Sequence, residues 1–338
     1  MEFLSVVRGL ERYEAINRNK AVAKFQLVKR LEAEEGDFKT HERYKKEFQK
    51  FLEEEGENLR ILDKEPPEYS FLDLKIDLLM EMLKNCNFCE RRCGVNRYEK
   101  LGYCKTGVES YYSSEFLHFG EEPELVPSHT IFFNRCTFSC VFCQNYDIVY
   151  DDDYKVDPKE LAVMIDIRRR QGSRNVNFVG GNPDQHSHTI LKILKDVKSN
   201  IPVVWNSNMY HSWELGRIIE DVVDVWLGDF KYGNDECAKK YSNVRNYFQV
   251  VTRNFLDAKK TGELLIRHLV MPNHIECCTA KIVKWVSENL GRGVRFNLMF
   301  QYYPTFRAYE FEEISRRLSW EEMRRAKELA EAYLDNLV

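Results

Sequence analysis

Three cysteines fall within eight residues at Cys136, Cys140 and Cys143, spaced x3 and x2, directly after an apolar run and with Phe142 just before the last of them. Thiolates bind soft and borderline metals. Three of them on a [4Fe-4S] cube leave one iron without a protein ligand, so that this iron can bind and reduce a small molecule instead of only relaying electrons. The same loop also suits a zinc knuckle whose fourth thiolate would come from Cys237, Cys277 or Cys278. A second group, Cys86, Cys89, Cys93 and Cys104, has spacings x2, x3 and x10 and is a complete ligand set. Four thiolates with glycines at the turns close a tetrahedral zinc site or a fully ligated iron-sulfur site, and neither leaves an open position. Its expected role is structure or electron relay. Outside these two groups, Cys237, Cys277 and Cys278 are expected as core thiols.

The elements that must position the loop follow from periodicity. Residues 1–84 are rich in Lys, Glu and Arg with apolar residues at helical spacing, such as Phe25, Val28 and Leu31, and are expected to form a helical N-terminal region, broken at Pro66-Pro67 and resumed over Phe71–Leu83. Its charged faces read as solvated surface of a packing appendage. Residues 85–110 hold the four-cysteine knuckle. From residue 130 short apolar or β-branched runs alternate with helical stretches, which predicts an α/β fold with a parallel sheet. Strands are expected at Thr130–Phe133, Val176–Val179, Ile201–Trp205, Val223–Leu227, Leu264–Val270 and Val294–Met299. Helices are expected between them at Pro158–Arg170, capped by Asp157, and at Ser187–Lys198, Ser212–Glu220 and Thr279–Leu290. The core spans 111–310, and 311–338 ends in a helix from Ser319, opened by a Ser319/Glu322 capping pattern.

Polar and special residues recur just past the C-terminal end of each expected strand, the edge where parallel α/β sheets bind ligands. They are the cysteine loop, then Gly180-Gly181-Asn182-Pro183, then Asn206-Ser207-Asn208, then Asp229-Phe230-Lys231. Arg267 and His268 follow in the fifth strand, and Gln301 and Tyr302 after the sixth. Adjacent glycines let a backbone approach a ligand closely. Asp229 and Lys231, two apart, point to one face of a strand and suit a zwitterion, or a plain ion pair at a loop start. Arg267 in an apolar strand implies a lumen-facing guanidinium with a carboxylate or ligand partner, and His268 alternates to the helix-facing side.

With 50 Lys and Arg against 54 Asp and Glu, the formal net charge of −4 gives no global basic field, so nucleic acid is not indicated. No apolar run approaches the roughly 20 residues that span a bilayer, and no leader pattern opens the chain. A cytoplasmic monomer without membrane contact is expected. The cysteines are concentrated in two groups, which in a reducing compartment favours metal ligation over disulfides.

The Cys-x3-Cys-x2-Cys loop with its aromatic closely resembles the signature of the radical S-adenosylmethionine (SAM) enzymes. Further matches extend the resemblance over about residues 86–303, to the subgroup related to pyruvate formate-lyase activating enzymes: Cys-Asn-Phe-Cys-Glu-Arg-Arg-Cys-Gly-Val-Asn at 86–96, Asn177-Phe178-Val179-Gly180-Gly181, Val203 to Tyr210, Asp229-Phe230-Lys231-Tyr232-Gly233-Asn234, and Ile266 to Pro272. The resemblance implies a partial (β/α)6 TIM-like barrel of the radical SAM type. It implies a [4Fe-4S] cluster on Cys136, Cys140 and Cys143, with SAM chelated by the open iron and cleaved to a 5′-deoxyadenosyl radical that abstracts hydrogen from a substrate. Residues expected at SAM are Phe142, Gly180, Gly181, Asn182, Asn206, Asn208, Asp229, Lys231 and Arg267. Asn182 departs from the acidic residue common at that place. An electron donor of ferredoxin or flavodoxin type and a glycyl-radical enzyme partner are implied. Modification of an RNA, a peptide or a small metabolite is the alternative, and a non-catalytic zinc or iron-sulfur protein is the competitor from another class.

Overall fold

The structure, a computed structural model, describes residues 7–338, and the first six residues of the expected helical region lie outside the described residues. The chain begins with helices α1 (Glu11–Asn17), α2 (Lys24–Val28), α3 (Phe38–Glu55) and α4 (Phe71–Met82). Helix α4 starts at a capping box in which Ser70 Oγ accepts from Asp73 N (3.3 Å) and Asp73 Oδ2 accepts from Ser70 N (3.0 Å).

The sheet follows, with strands β1 (Tyr111–His118), β2 (Ser128–Phe133), β3 (Tyr154–Lys155), β4 (Asn175–Gly180), β5 (Val203–Ser207), β6 (Val225–Asp229), β7 (Glu263–Leu269) and β8 (Arg295–Met299). Spatial order is β3-β1-β2-β4-β5-β6-β7-β8. Six strands, β2 and β4 to β8, pair in parallel and in chain order, while β1 runs antiparallel to both its neighbours. Parallel neighbours need long crossovers. Those are supplied by α6 (Pro158–Arg170) after the short α5 (Tyr146–Tyr150), then α7 (Ser187–Asp196), α8 (Trp213–Ile219), α9 (Asp235–Ser242) with α10 (Tyr247–Thr261), and α11 (Ala280–Asn289), before α12 (Trp320–Tyr333) ends the fold.

This is an open (β/α)6 arrangement. The gap between β1 and β8 is bridged by the loop 119–127 through side chains, since Glu122 Oε1 accepts from Asn297 Nδ2 (2.9 Å) and Glu124 pairs with Arg295 (2.7 Å). One face of each of the six parallel strands is buried beneath the helices. The other lines an interior cavity.

Two strands lie two residues later than their apolar runs predict, at Val203–Ser207 and Val225–Asp229. Pro202 cannot donate to a ladder. Val222 and Val223 are buried in a connection under the N-terminal helices, where the buried Asp224 carboxylate accepts from Val203 N (2.9 Å) and Lys24 N (3.1 Å). The shift puts Asn206 and Asp229 inside strands, with their side chains fixed by the pleat. The Asp157 cap of α6 and the Ser319/Glu322 box of α12 occur as the residue types predict.

Candidate functional site

The cysteine loop leaves β2 at Phe133 and is pinned from several sides. Ser139 N and Val141 N donate to the carbonyls of Ser242 (3.1 Å) and Tyr241 (2.8 Å) at the end of α9. Gln185 Nε2 donates to Arg135 O (3.0 Å), and Arg91 Nε donates to Thr137 O (2.6 Å). The result is that Cys136, Cys140 and Cys143 all line one cavity of about 310 Å³ at the C-terminal ends of the parallel strands.

Burial pushes all three thiols up, Cys143 to about 12, so each holds its proton until a metal replaces it. Hydrogen-bond donors surround the sulfurs. Phe138 N reaches Cys136 Sγ at 3.3 Å, Ser242 Oγ reaches Cys140 Sγ at 2.9 Å, and Asn208 Nδ2 stands 3.8 Å from Cys136 Sγ. Three convergent thiols with donors aimed at sulfur fit an iron-sulfur cluster, whose potential such bonds tune. Phe142 is buried edge-on against Tyr302 (5.9 Å between centroids) and Tyr232 (6.4 Å) and forms the wall behind the loop.

The other expected residues share this cavity. Gly180 and Gly181 pass so close to the loop's root that an added Cβ would come within 2.1 Å of Phe133 O and 1.8 Å of Arg135 O. The glycines are therefore required first by the protein's own backbone, and Gly181 N donates to Phe133 O (2.8 Å). Asn182 Oδ1 accepts from Asn208 N (3.0 Å) and so ties the loop after β4 to that after β5. Asn208 is in turn tied to the cysteine loop through Thr137 Oγ1 (2.9 Å).

Asp229 is the hub of the cavity's charge. Its Oδ2 accepts from Lys231 Nζ (2.7 Å) and its Oδ1 from Arg267 Nε (2.9 Å), while Arg267 Nη2 donates to Asn206 Oδ1 (2.8 Å) and Nη1 to Glu121 Oε2 (3.2 Å). Burial works against the Asp229 carboxylate, but Arg267 and Lys231 outweigh it and hold it down to about 2. His268 faces the helices, between Phe230 O (2.8 Å) and Thr279 Oγ1 (2.9 Å). Glu121, Glu122, His118 and Ser242 were not singled out by sequence. His118 ends β1 and the two glutamates follow it, and the half-buried β1 gives too weak an alternation to mark them, while nothing local links Ser242 to a cysteine 102 positions away.

The knuckle residues meet as well. Gly102 lies between two sulfurs, its added Cβ standing 3.5 Å from Cys104 Sγ and 3.7 Å from Cys93 Sγ. Cys86 hydrogen-bonds Cys93 and holds that thiol down to about 5, and desolvation of the half-buried Cys89 pushes its thiol up to about 12, with Cys104 and Cys93 beside it. By contrast Cys237, Cys277 and Cys278 neither line the cavity nor scatter through the core; they gather with one another.

The profile of the Radical SAM superfamily matches residues 130–286. The chain is also 47% identical to the uncharacterized protein MJ0674 of Methanocaldococcus jannaschii, over 97% of this chain and 99% of that protein. This chain belongs to the radical SAM superfamily. The family implies an enzyme of radical chemistry with a [4Fe-4S] cluster and SAM. Among solved structures it is similar to SuiB of Streptococcus suis bound to S-adenosylmethionine, with 13% identity and a TM-score of 0.46 over 60% of this chain and 47% of that one. It is also similar to HydG, a maturase of the [FeFe]-hydrogenase, with 11% identity and a TM-score of 0.45 over 97% and 62%. The chain thus spans about half the length of SuiB. Among the described residues no helix is long and apolar enough to cross a membrane.

Proposed function

We propose that this radical SAM protein carries its cluster on Cys136, Cys140 and Cys143 and acts on the backbone glycine of a partner enzyme, as an activating enzyme. The cluster and SAM, when bound, supply reductive cleavage of the sulfonium and a 5′-deoxyadenosyl radical that takes a hydrogen atom from the substrate. The observation that carries the reading is the convergence of the three thiols with Gly180-Gly181, Asn206, Asp229 and Lys231 on one cavity.

Each residue has a definable task there. Asp229 and Lys231 offer opposite charges 2.7 Å apart to the carboxylate and ammonium of an amino-acid moiety. Arg267 keeps Asp229 ionised, and Asn206 orients Arg267. Asn182 and Asn208 hold the rim loops at fixed separation from the cysteine loop. Phe142, Tyr232 and Tyr302 close the wall behind the sulfurs against water. An electron donor of ferredoxin or flavodoxin type is part of the proposal, as is work as a monomer that docks its partner transiently.

A second reading has its own support. Glu121, Glu122 and Arg267 make the inner wall charged, which suits a small polar metabolite held in the cavity. Anaerobically reconstituted, chemically reduced protein given SAM is expected to form 5′-deoxyadenosine, and Cys140→Ala to form none. Absence of cleavage by a parent protein with an intact cluster and a competent reductant would defeat the enzyme reading. Adding a polypeptide with a glycyl-radical motif should generate a glycine-centred electron paramagnetic resonance doublet on it. If cleavage occurs but no such partner acquires the radical, the metabolite reading replaces the activating one.

A further inference from the structure

The three cysteines outside both sequence groups come together where two crossovers touch. Cys237 lies in the first turn of α9, and Cys277 and Cys278 lie in the π-helical turn Ile275–Thr279 that precedes α11. Their sulfurs are all within 4.8 Å of one another, with Cys277 Sγ and Cys278 Sγ 3.9 Å apart, and all three are free thiols. That spacing selects the occupant. Thiolates bonded at about 2.3 Å to one tetrahedral ion stand roughly 3.8 Å from each other, whereas the thiolates of an iron-sulfur cube bond separate irons and stand farther apart.

A histidine stands beside Cys237. His274 immediately precedes the π turn, and its ring contacts the Cys237 thiol. Its Nδ1 is 2.7 Å from Pro272 O and its Nε2 is 3.1 Å from Tyr241 OH. Tyr241 OH gives its one hydrogen to Glu313, so Nε2 donates to the Tyr241 oxygen here, and ligation by Nε2 would replace that contact while Nδ1–H keeps its bond to the backbone carbonyl.

The supporting contacts hold the two elements in this register. Asn234 Oδ1 accepts from Cys237 N (2.8 Å) while its Nδ2 donates to Cys277 O (3.0 Å) and stands 3.8 Å from Cys278 Sγ. Gly233 permits the approach, since a Cβ there would meet Cys278 O at 2.7 Å and Cys277 O at 2.8 Å. The π turn, a form found often at functional sites, brings two consecutive cysteines to the same point.

We propose that Cys237, Cys277, Cys278 and His274 bind one zinc ion in a closed, structural site. The ion ties the start of α9 to the β7–α11 connection. The other end of α9 carries Ser242, which donates to Cys140, and the carbonyls of Tyr241 and Ser242 that hold the cysteine loop. The site therefore anchors the helix that shapes the cavity, and zinc binding there does not depend on the radical reading being correct.

The test is metal analysis of the full-length protein purified with zinc and iron present. The parent is expected to carry one more zinc per chain than a Cys237→Ser/Cys277→Ser double variant, with equal iron in the two. His274→Gln is expected to weaken zinc binding at least about tenfold, as read by chelator competition. In the parent, Cys237 and Cys277 should resist iodoacetamide until a zinc chelator is added, a readout that stands even where the variants do not fold. Equal zinc in parent and double variant, ready alkylation of both cysteines in the metal-loaded parent, or a peptide map showing Cys237 in a disulfide with Cys277 or Cys278 would each overturn the assignment.

Discussion

Gly181 shows how much of the site is decided by single atoms. Its missing Cβ would stand 1.8 Å from Arg135 O, one residue before the first cysteine of the loop. No flexible side chain can yield there, because the obstacle is backbone. Gly181→Ala is therefore expected to displace the root of the loop, and the iron retained after anaerobic reconstitution should drop severalfold while far-ultraviolet circular dichroism stays near that of the parent. Full iron retention would mean that the loop's position does not depend on this contact. Asp229 makes the complementary point for charge. With its carboxyl held at about 2 against an ordinary 3.8, it contributes stability that is complete above about pH 4 and lost as pH falls through 2, on the order of 2 kcal/mol. Asp229→Asn leaves Arg267 and Lys231 without their shared carboxylate. Urea unfolding should place the variant about 3 kcal/mol below the parent at pH 7, with the gap narrowing below pH 4. A gap that is constant with pH would show that the loss is steric.

At the scale of elements, the α/β alternation was readable because six parallel strands bury one face and use the other, and short apolar runs bounded by caps mark such strands. Two features escaped for a physical reason. The strand β1 is half-buried along its length, so its alternation is weak, and α9 and α10 lie in one long crossover where apolar spacing is diluted by lysines. The rim residues were readable because strand ends carry function in such sheets; the hydrogen bonds among Asn182, Asn208 and Thr137 were not, since they join residues far apart in sequence. The N-terminal helices are less of an appendage than their charged composition suggests. Lys75 of α4 is wholly buried and reaches Asp221 Oδ2 (2.7 Å), Ile218 O (2.8 Å) and His41 Nε2 (2.9 Å). Lys24 of α2 donates to Val223 O (2.8 Å) and Thr261 O, and Lys45 of α3 pairs with Glu220. Three lysines thus enter the connection between α8 and β6 from three helices. Lys75→Met is expected to cost about 3 kcal/mol in urea unfolding by leaving Asp221 with Lys45 alone, 3.7 Å away, and adding Asp221→Asn should recover a large part of it. Additive losses in the double variant would show that the pair does not act as a unit.

On the scale of the whole molecule, the four-cysteine knuckle and the cysteine loop form one support. Arg91, between Cys89 and Cys93, donates to Thr137 O (2.6 Å) and Asn243 O (2.8 Å) and stacks on Tyr103 at 3.8 Å. Glu90 N donates to Tyr210 O (3.2 Å), so the knuckle also grips the segment that follows β5. The spacing of Cys86, Cys89, Cys93 and Cys104 left zinc and an iron-sulfur cluster open, because thiolate alone does not distinguish them. The structure brings Cys93 and Cys104 beside Gly102 and Cys86 beside Cys93, and we propose a single tetrahedral zinc ion as their occupant. A Cys86→Ser/Cys104→Ser variant, reconstituted beside the parent, should then lose about one zinc per chain while both proteins hold about four irons. Because Arg91 would lose its fixed platform, 5′-deoxyadenosine formation should also fall, by roughly tenfold if the Thr137 contact supplies the one to two kcal/mol usual for a charged hydrogen bond. A parent with about eight irons that drops to about four in the variant would instead identify the knuckle as a second cluster, and the fall in turnover would then report a broken electron path.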